Sequence, residues 1–384
     1  MSKLNVLLEQ YCPDGVEYYK IGELIKKEII VTVKPTIKIK QEDYKEKGPV
    51  PIISQKTEYI SGYCDIQDKR IAGGNYVCFG EHSENIKYVN FAFVQGAEGL
   101  KIMQTCESIL KSRFLYYAIS KFYIRRNSYE RHFKHLSDTL IPVPPMPVQE
   151  EIVSILDKFN ALTEELTMAL ATELTERRKQ YEYYRGRLLR SGKKNPTITL
   201  GEIGPVHMCK RIMKSQTNAK GGVPYYKVGT LGKEPDAYIS QETFEEYKQK
   251  YSFPRKGDIL ITAIGCIGRT VVYDGEPAYF QETAIVWLDN DETKVLNDFL
   301  MCCYKTEPWE ISKSGRIPRL YSENIVNAVI PFPTIKQQRA IADKLARYET
   351  LCDDIEAALK EETEVRKKQF EYYRDKLLSF ETLE

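Results

Sequence analysis

The chain has 384 residues, 42% hydrophobic and 29% charged, which is enough for at least two domains with buried cores. No apolar run approaches the ~18 residues that a membrane-spanning helix needs. The apolar stretch after Met1 is too short for a signal peptide, so we expect a cytoplasmic protein without a membrane partner. The formal net charge is only +2, so any nucleic-acid partner would have to be bound by local basic clusters.

Cysteine and histidine spacing predicts neither disulfides nor a metal site. The nine cysteines are an odd number without Cys-x-x-Cys spacing, which indicates reduced thiols. The histidines are not expected to share a cluster with cysteines or paired carboxylates; they are His82, His132, His135 and His207. We therefore expect no metal and no cofactor.

The first predicted domain covers residues 1–144 and reads as a strand-rich α/β region. Short β-type runs interrupted by glycine fall at residues 50–53, 75–79 and 90–94. Towards its end, residues 111–135 carry seven basic side chains against a single acid, with aromatic residues interleaved. Clusters of this kind suit phosphate contacts, and arginine can also read guanine in the major groove. A solvated helix face with core aromatics is the alternative for residues 111–126.

A long helix is predicted next, after the proline-rich segment 141–147, because residues that precede proline avoid helical backbone angles. Its apolar residues recur with a period of about 3.5, which is typical of a coiled coil. They are Val148, Ile152, Ile155, Phe159, Leu162, Leu166, Leu170, Leu174, Tyr181, Tyr184 and Leu188. Gly192 and Pro196 provide the expected stop. The helix, of about 42 residues, and its linker form the predicted spacer 145–195.

The second predicted domain, residues 196–333, is again rich in short β-type runs, at 258–262 and 270–273. It carries two stretches with basic residues and no acid, residues 204–220 and 311–322. Because residues 314–320 contain glycine and proline, they are predicted to form a loop that contacts a partner.

The last segment, 334–384, is a second spacer helix that repeats the first. Residues 141–189 align without a gap to residues 330–378, and 19 of the 49 positions are identical, so we infer a duplication. Its apolar seam consists of Ile341, Leu345, Tyr348, Leu351, Ile355, Leu359, Phe370, Tyr373 and Leu377.

The predicted fold class is α+β, with two strand-rich α/β domains separated by two long helices. Each seam needs a partner, and the short linker favours pairing of the two helices as an antiparallel coiled coil with pseudo-two-fold symmetry. Two independent helices that serve unrelated partners are the alternative.

Several motifs together resemble the specificity subunit of type I restriction-modification systems. They are the Ile-Pro-x-Pro segments, the Tyr-Tyr-Arg-x-[Arg/Lys]-Leu-Leu helix ends at 183–189 and 372–378, and the segments 94–99, 253–260 and 265–268. The resemblance covers the whole chain. It implies a DNA-binding protein whose two domains each read half of a bipartite site, asymmetric here because the domains differ. It also implies partner methyltransferase subunits and, through them, restriction subunits.

The candidate DNA-binding residues come from local chemistry, because the recognition surfaces of the resembled family vary too much for base-reading residues to be carried over. The candidate DNA-binding residues are Lys111, Arg125, Arg126, Arg131, His132, Lys134, Lys210, Arg211, Lys214, Lys313, Arg316, Arg319 and Tyr321. The candidate partner-docking residues on the spacer helices are Gln180, Tyr183, Tyr184, Arg185, Gln369, Tyr372, Tyr373 and Arg374.

Catalytic motifs are missing from the sequence, so we expect a non-catalytic subunit. There is no phosphate-binding Gly-x-x-x-x-Gly-Lys-[Ser/Thr] loop and no amino-methyltransferase Asn-Pro-Pro-Tyr. Asp236 followed by Glu246 and Lys248 loosely matches the magnesium-binding residues of nucleases. A stand-alone metal-dependent nuclease and a coiled-coil scaffold that binds only protein are therefore the competing hypotheses.

Overall fold

The computed structural model of the protein describes residues 2–96, 99–189, 196–312 and 318–383. They form two compact units. The first unit consists of Met1–Leu170 together with Leu359–Glu384, and the second unit of Ala171–Ala358.

The first half of the chain contains short helices and strands followed by a long helix. In chain order these are α1 (Lys3–Tyr11), β1 (Tyr18–Lys20), α2 (Ile21–Lys26), β2 (Ile30–Val33), β3 (Val50–Ile53), β4 (Gly62–Cys64), β5 (Tyr76–Gly80), β6 (Ile86–Val89), β7 (Val94–Gln95), β8 (Leu100–Thr105), α3 (Ser112–Phe122), α4 (Phe133–Ser137), β9 (Leu140–Pro142) and α5 (Met146–Leu188).

The second half follows a similar order. Its elements are β10 (Thr197–Thr199), β11 (Val206–Met208), β12 (Val223–Tyr226), β13 (Tyr238–Ile239), α6 (Gln241–Lys250), β14 (Ile259–Thr262), β15 (Thr270–Val272), β16 (Tyr279–Phe280), β17 (Ile285–Leu288), α7 (Asn297–Tyr304), α8 (Ser322–Val326), β18 (Val329–Pro331) and α9 (Ile335–Leu377).

The same three small sheets occur in both units. The first unit has the strand orders β2-β8-β5-β6, β4-β3-β7 and β1-β9, and the second has β11-β17-β14-β15, β13-β12-β16 and β10-β18. The three-stranded sheets even share a parallel pair, with Ile52 opposite Val94 in one and Tyr225 opposite Tyr279 in the other. The duplication therefore covers the domains as well as the helices, although the domain sequences have diverged.

The two long helices each contain 43 residues, so their prediction is confirmed. Helix α5 begins after Pro145. Proline lacks a backbone N–H, and this costs little at a helix start because the N–H groups there have no carbonyl acceptor within the helix. Helix α9 uses Thr334 at the equivalent position, and its hydroxyl and backbone N–H pair reciprocally with Gln337. Helix α5 ends at Leu188, while the predicted stop at Gly192 lies outside the described residues.

Segments of α5 and α9 pack together within each unit. In the second unit Tyr184 stacks on Tyr348 with ring centroids 5.5 Å apart, and Arg178 pairs with Glu356, so the partner number falls as the α5 number rises. The segments are therefore antiparallel, as predicted. In the first unit Phe159 contacts Tyr373 at 5.9 Å. These are repeat-equivalent pairs, because 159 aligns with 348 and 184 with 373.

Two sequence predictions about apolar residues are wrong. Leu162 and its repeat equivalent Leu351 are 67% and 43% exposed, so they do not belong to a buried seam. The run 90–94 is a strand only at its end, where β7 begins at Val94. Its aromatic residues have another role, because Phe93 is fully buried and packs edge-to-face on Tyr76.

Each unit has a main core in which its sheet, a helix and the spacer helices meet. In the first unit Phe114 and Leu115 of α3 pack with Ile152 of α5 and Leu378 just beyond α9. In the second unit Phe299 of α7 packs with the α9 residue Leu345 and with Leu189. Burial of apolar side chains fixes the ends of both helices to the domain surfaces.

Candidate nucleic-acid interface

A surface loop at residues 123–131 joins α3 to α4 and carries three of the first unit's six candidate DNA-binding residues. Arg125, Arg126 and Arg131 are exposed along it, and Lys134 follows on the exposed face of α4. Ile124 and Tyr129 are 82% and 95% exposed. Exposed cations beside an exposed aromatic and an aliphatic side chain suit contacts with phosphates and bases.

The buried carboxylate of Glu84 holds this loop in place. It accepts a hydrogen bond of 2.6 Å from the Tyr123 hydroxyl and bonds from the backbone N–H groups of Arg126 and Asn127, at 2.9 Å each. Burial acts to raise the pKa of Glu84, but these donated hydrogen bonds outweigh it and the net shift is downward. A negative charge that is 2% exposed therefore organises a positively charged surface loop.

The sequence-based assignment of His132 to the surface cluster needs correction. Its side chain is fully buried, with Nε2 2.8 Å from the carbonyl oxygen of Ser128 and Nδ1 3.3 Å from Glu84 Oε1. It supports the loop from within, while Arg131 and Lys134 present their charges to solvent.

Lys111 is also separate from the loop. It precedes α3, an 11-residue helix, so it lies about 16 Å along the helix axis from the loop. Its ammonium pairs with Glu150 of α5 at 3.1 Å. Lys111 thus contributes to the surface between α3 and α5.

The second unit presents its candidates on two segments. After β11, Lys210, Arg211 and Lys214 are exposed. The Lys210 ammonium lies 5.2 Å from the Tyr251 ring, and Arg211 pairs with Glu282 at 3.4 Å.

The other segment lies between α7 and α8, as the first unit's loop lies between α3 and α4. Exposed Arg319 exchanges backbone hydrogen bonds of 3.1 and 3.3 Å with Ser312, and exposed Tyr321 precedes α8. The candidates Lys313 and Arg316 lie outside the described residues, as do Ala97 and Glu98 of the predicted motif 94–99.

The candidate docking residues divide into two groups. Tyr183 and Tyr372, which are repeat equivalents, are 63% and 61% exposed, whereas Tyr184 and Tyr373 contact the opposite helix. The remaining candidates pair within their own helices. Gln180 accepts from Arg177 and Gln369 from Arg366, while Arg185 pairs with Glu182 and Arg374 with Asp375.

The acidic residues of the nuclease hypothesis each pair with a lysine. Asp236 pairs with Lys227 at 3.0 Å, and Glu246 pairs with Lys250 one helical turn away. Within the described residues, the three acidic or histidine side chains whose ligand atoms all lie within 4.8 Å of one another are Glu130, His132 and His135. The sequence-based expectation, which concerned clusters with cysteines or paired carboxylates, did not anticipate this group of two histidines and one carboxylate.

Two buried glutamines, which were not among the site residues predicted from the sequence, make matching hydrogen bonds in the two units. Gln149 in α5 accepts from the Lys111 N–H at 2.9 Å and donates to the carbonyls of Ile109 and Pro144. Gln338 in α9 makes the equivalent three bonds, with Leu296, Lys294 and Pro333. The sequence did contain a clue to them, because glutamine occupies the same position in both copies of the repeat. A buried polar residue at a helix start needs hydrogen-bond partners and often has a structural role.

Both halves of the chain match the same family model. Residues 13–176 and 193–365 each match the family model described as the type I restriction modification DNA specificity domain. The chain belongs to this family of type I specificity subunits. The prediction made from the sequence motifs is confirmed, and each match includes one strand-rich region and most of one spacer helix.

Two specificity subunits resemble the chain, one with higher identity over part of it and one with lower identity over nearly all of it. A putative type I restriction enzyme specificity subunit from Haemophilus influenzae is 50% identical over 71% of this chain and 73% of its own length. A type I restriction enzyme specificity subunit from Escherichia coli is 27% identical over 99% of this chain and 98% of its own length. Both relatives are named as specificity subunits.

Solved structures share the specificity-subunit fold. One, from a study titled as the structural basis of complex assembly and conformational transition of the type I R-M system, has a TM-score of 0.67 at 18% identity and covers 95% of this chain and 98% of its own. The HsdS subunit of Thermoanaerobacter tengcongensis gives 0.54 at 17% identity, covering 96% and 97%. In the described part of the specificity chain, no helix combines the length and apolarity needed to cross a membrane.

Proposed function

We propose that this specificity subunit reads an asymmetric bipartite DNA site, with one half-site bound by each domain. The main support is that both domains have the same strand order but expose different residues on their candidate DNA-binding surfaces. The first displays Ile124 and Tyr129 among arginines, whereas the second displays Lys210, Arg211 and Lys214 together with Arg319. Equal scaffolds with unequal contact surfaces suit two unlike half-sites.

The proposed functions are assigned to the domains and spacers with the boundaries predicted from the sequence. Residues 1–144 and 196–333 act as target-recognition domains, and 145–195 and 334–384 act as spacers. The spacers also dock methyltransferase subunits, and restriction subunits join through them. Support comes from the exposed repeat pairs Tyr183 with Tyr372 and Leu162 with Leu351, since aromatic and aliphatic groups at equivalent places suit two copies of one partner. The complex acts on DNA in the cytoplasm.

Gel-shift assays with and without the methyltransferase subunit, in rising salt, test the DNA-binding proposal. We expect a sequence-specific complex whose affinity falls with salt because phosphate contacts release counterions. Absence of any such complex, even with the methyltransferase, would refute the proposal and favour a protein-binding scaffold. Metal-dependent cleavage by the chain alone, abolished in Asp236→Ala, would favour a nuclease. Methylome sequencing with and without the gene would then name the two half-sites.

Matched arginine variants test the assignment of half-sites to domains. We expect Arg319→Ala to weaken binding by about 1–3 kcal/mol and to relax base preference in one half-site, and Arg125→Ala to do the same in the other. Each variant is the control for the other, measured by competition between DNA duplexes that carry changes in one half-site. A uniform loss over all sequences would identify the arginine as a phosphate contact.

A further inference from the structure

Glu130, His132 and His135 form a compact group of nitrogen and oxygen donors at the base of the loop 123–131. Their ligand atoms all lie within 4.8 Å of one another. His132 directly precedes α4 and His135 lies within this helix, so a spacing of three residues places both imidazoles on the same side. Glu130 faces both rings, with its carboxylate oxygens 4.0 Å from His132 Nδ1 and 3.6 Å from His135 Nε2.

His132 supplies a second and independent observation. Its Nε2 is 2.8 Å from the carbonyl oxygen of Ser128, and because a carbonyl can only accept, Nε2 carries a proton. The fully buried Nδ1 then has no hydrogen-bond partner, although it lies 3.3 Å from Glu84 Oε1. This nitrogen therefore directs its lone pair towards the carboxylates of Glu84 and Glu130, where a cation bound among these groups would accept it.

The three side chains together have the composition of a metal site. They offer two imidazole nitrogens and a carboxylate, the donor set that Zn²⁺ and related ions bind. The bond from Nε2–H to the Ser128 carbonyl is the outer contact that orients histidine ligands in metal sites. Glu84 adds a further buried negative charge beside the same nitrogen.

We propose that Glu130, His132 and His135 bind a divalent ion of the Zn²⁺ class through a carboxylate oxygen, Nδ1 and Nε2. Any proton on these nitrogens passes to solvent as the ion binds. The ion joins the end of the loop to α4 and so fixes the loop together with the hydrogen bonds that Glu84 accepts from Arg126 and Asn127. The site is a structural one, and it stands whether or not the loop contacts DNA.

Metal titration of the full-length chain, freed of metal with a chelator, tests this site. Zn²⁺ and, as a spectroscopic probe, Co²⁺ are added in competition with a chromophoric chelator. We expect saturable binding that is at least about tenfold weaker in His135→Ala and in Glu130→Gln. His207→Ala, which removes a histidine of the second unit, is the matched control and should bind as the wild type does. Neither test variant empties the buried His132 position, and circular dichroism checks their folding.

Two further readouts make the outcome decisive. Amide hydrogen exchange should slow in the loop 123–131 and in α4 when Zn²⁺ is added, and it should not slow in His135→Ala. The Co²⁺ spectrum should lack thiolate charge-transfer bands. No binding by the wild type, equal affinity in the variants, or thiolate bands that point to exposed Cys106 or Cys266 would overturn the proposal.

Discussion

Glu84 illustrates how one buried side chain can define a binding surface. Its carboxylate receives one hydroxyl and two backbone N–H groups from a loop about 40 residues away in sequence. Hydrogen bonds to a charged acceptor are stronger than those between neutral groups, and here they replace the water that the carboxylate lost on burial. The loop's arginines can therefore stay extended in solvent while its backbone is held.

We predict that Glu84→Gln lowers the free energy of unfolding by about 1–3 kcal/mol at neutral pH, because the amide nitrogen would face the N–H donors of the loop. The pH dependence has a definite sign. Since the folded-state pKa of Glu84 lies below its ordinary value of 4.5, its contribution is complete above that value and is lost as pH falls through the lower folded value. Denaturant unfolding of both proteins from neutral to acid pH checks this, and the difference should shrink in acid. A constant difference would contradict the linkage.

The paired glutamines give a second prediction for single residues. Gln149→Ala and Gln338→Ala should each lower stability by about 1–3 kcal/mol, because each leaves one buried N–H and two carbonyls without their partner. Exposed Gln180→Ala is the control and should change stability by less than ~0.5 kcal/mol. Denaturant unfolding measures all three. Equal effects for the buried and exposed glutamines would show that the amides do not secure the helix starts.

At the scale of elements, adjacent tyrosines on one helix have different environments. Tyr183 projects to solvent while Tyr184 stacks on Tyr348, and the second copy repeats this division at Tyr372 and Tyr373. A helix rotates about 100° per residue, so neighbours in sequence cannot share a face. The repeat has thus preserved both an inner contact and an outer aromatic surface.

This division predicts separable defects. Tyr183→Ala and Tyr372→Ala should each weaken methyltransferase binding by about 1–2 kcal/mol without a change in stability, since exposed aromatics often dominate an interface. Tyr184→Ala should instead lower the melting temperature, because it removes the ring stacked on Tyr348. Calorimetric titration and thermal unfolding separate the two effects. Tyr11→Ala, an exposed tyrosine on α1, is the control for nonspecific loss.

The elements also show what the sequence could predict. The long helices were accessible because 19 of 49 repeat positions are identical and the apolar period is sustained. The shared strand order was not, because the parallel pairs β3 with β7 and β12 with β16 join distant segments and leave no local pattern. Exposed Leu162 was misassigned because period alone cannot distinguish an inner apolar face from an outer one.

At the scale of the whole molecule, the candidate site was predicted in part. Exposed Arg125, Arg131 and Arg319 were accessible from local charge, which needs no knowledge of the fold. The roles of Glu84 and His132 were not, since each depends on burial and on contacts that the fold alone creates. Sequence composition thus identified basic residues that are exposed, and the structure revealed the buried side chains that hold the loop around them.

The continuity of α5 leads to a prediction about the whole protein. Helix α5 contributes residues to both compact units, and α9 does the same in the opposite order along the chain. If the helices set the gap between half-sites, adding seven residues to each near Leu170 and Leu359 would lengthen them by about 10.5 Å while keeping their faces in phase. This corresponds to about three base pairs at ~3.4 Å each.

Methylome sequencing of cells that carry the lengthened protein, with its methyltransferase, measures the gap directly. We expect both half-sites to be unchanged and the spacing between them to increase. An insertion in α5 alone is the control, because it breaks the register of the paired tyrosines and should abolish methylation rather than shift the target. Unchanged spacing with the double insertion would mean that contacts other than helix length fix the two domains on DNA.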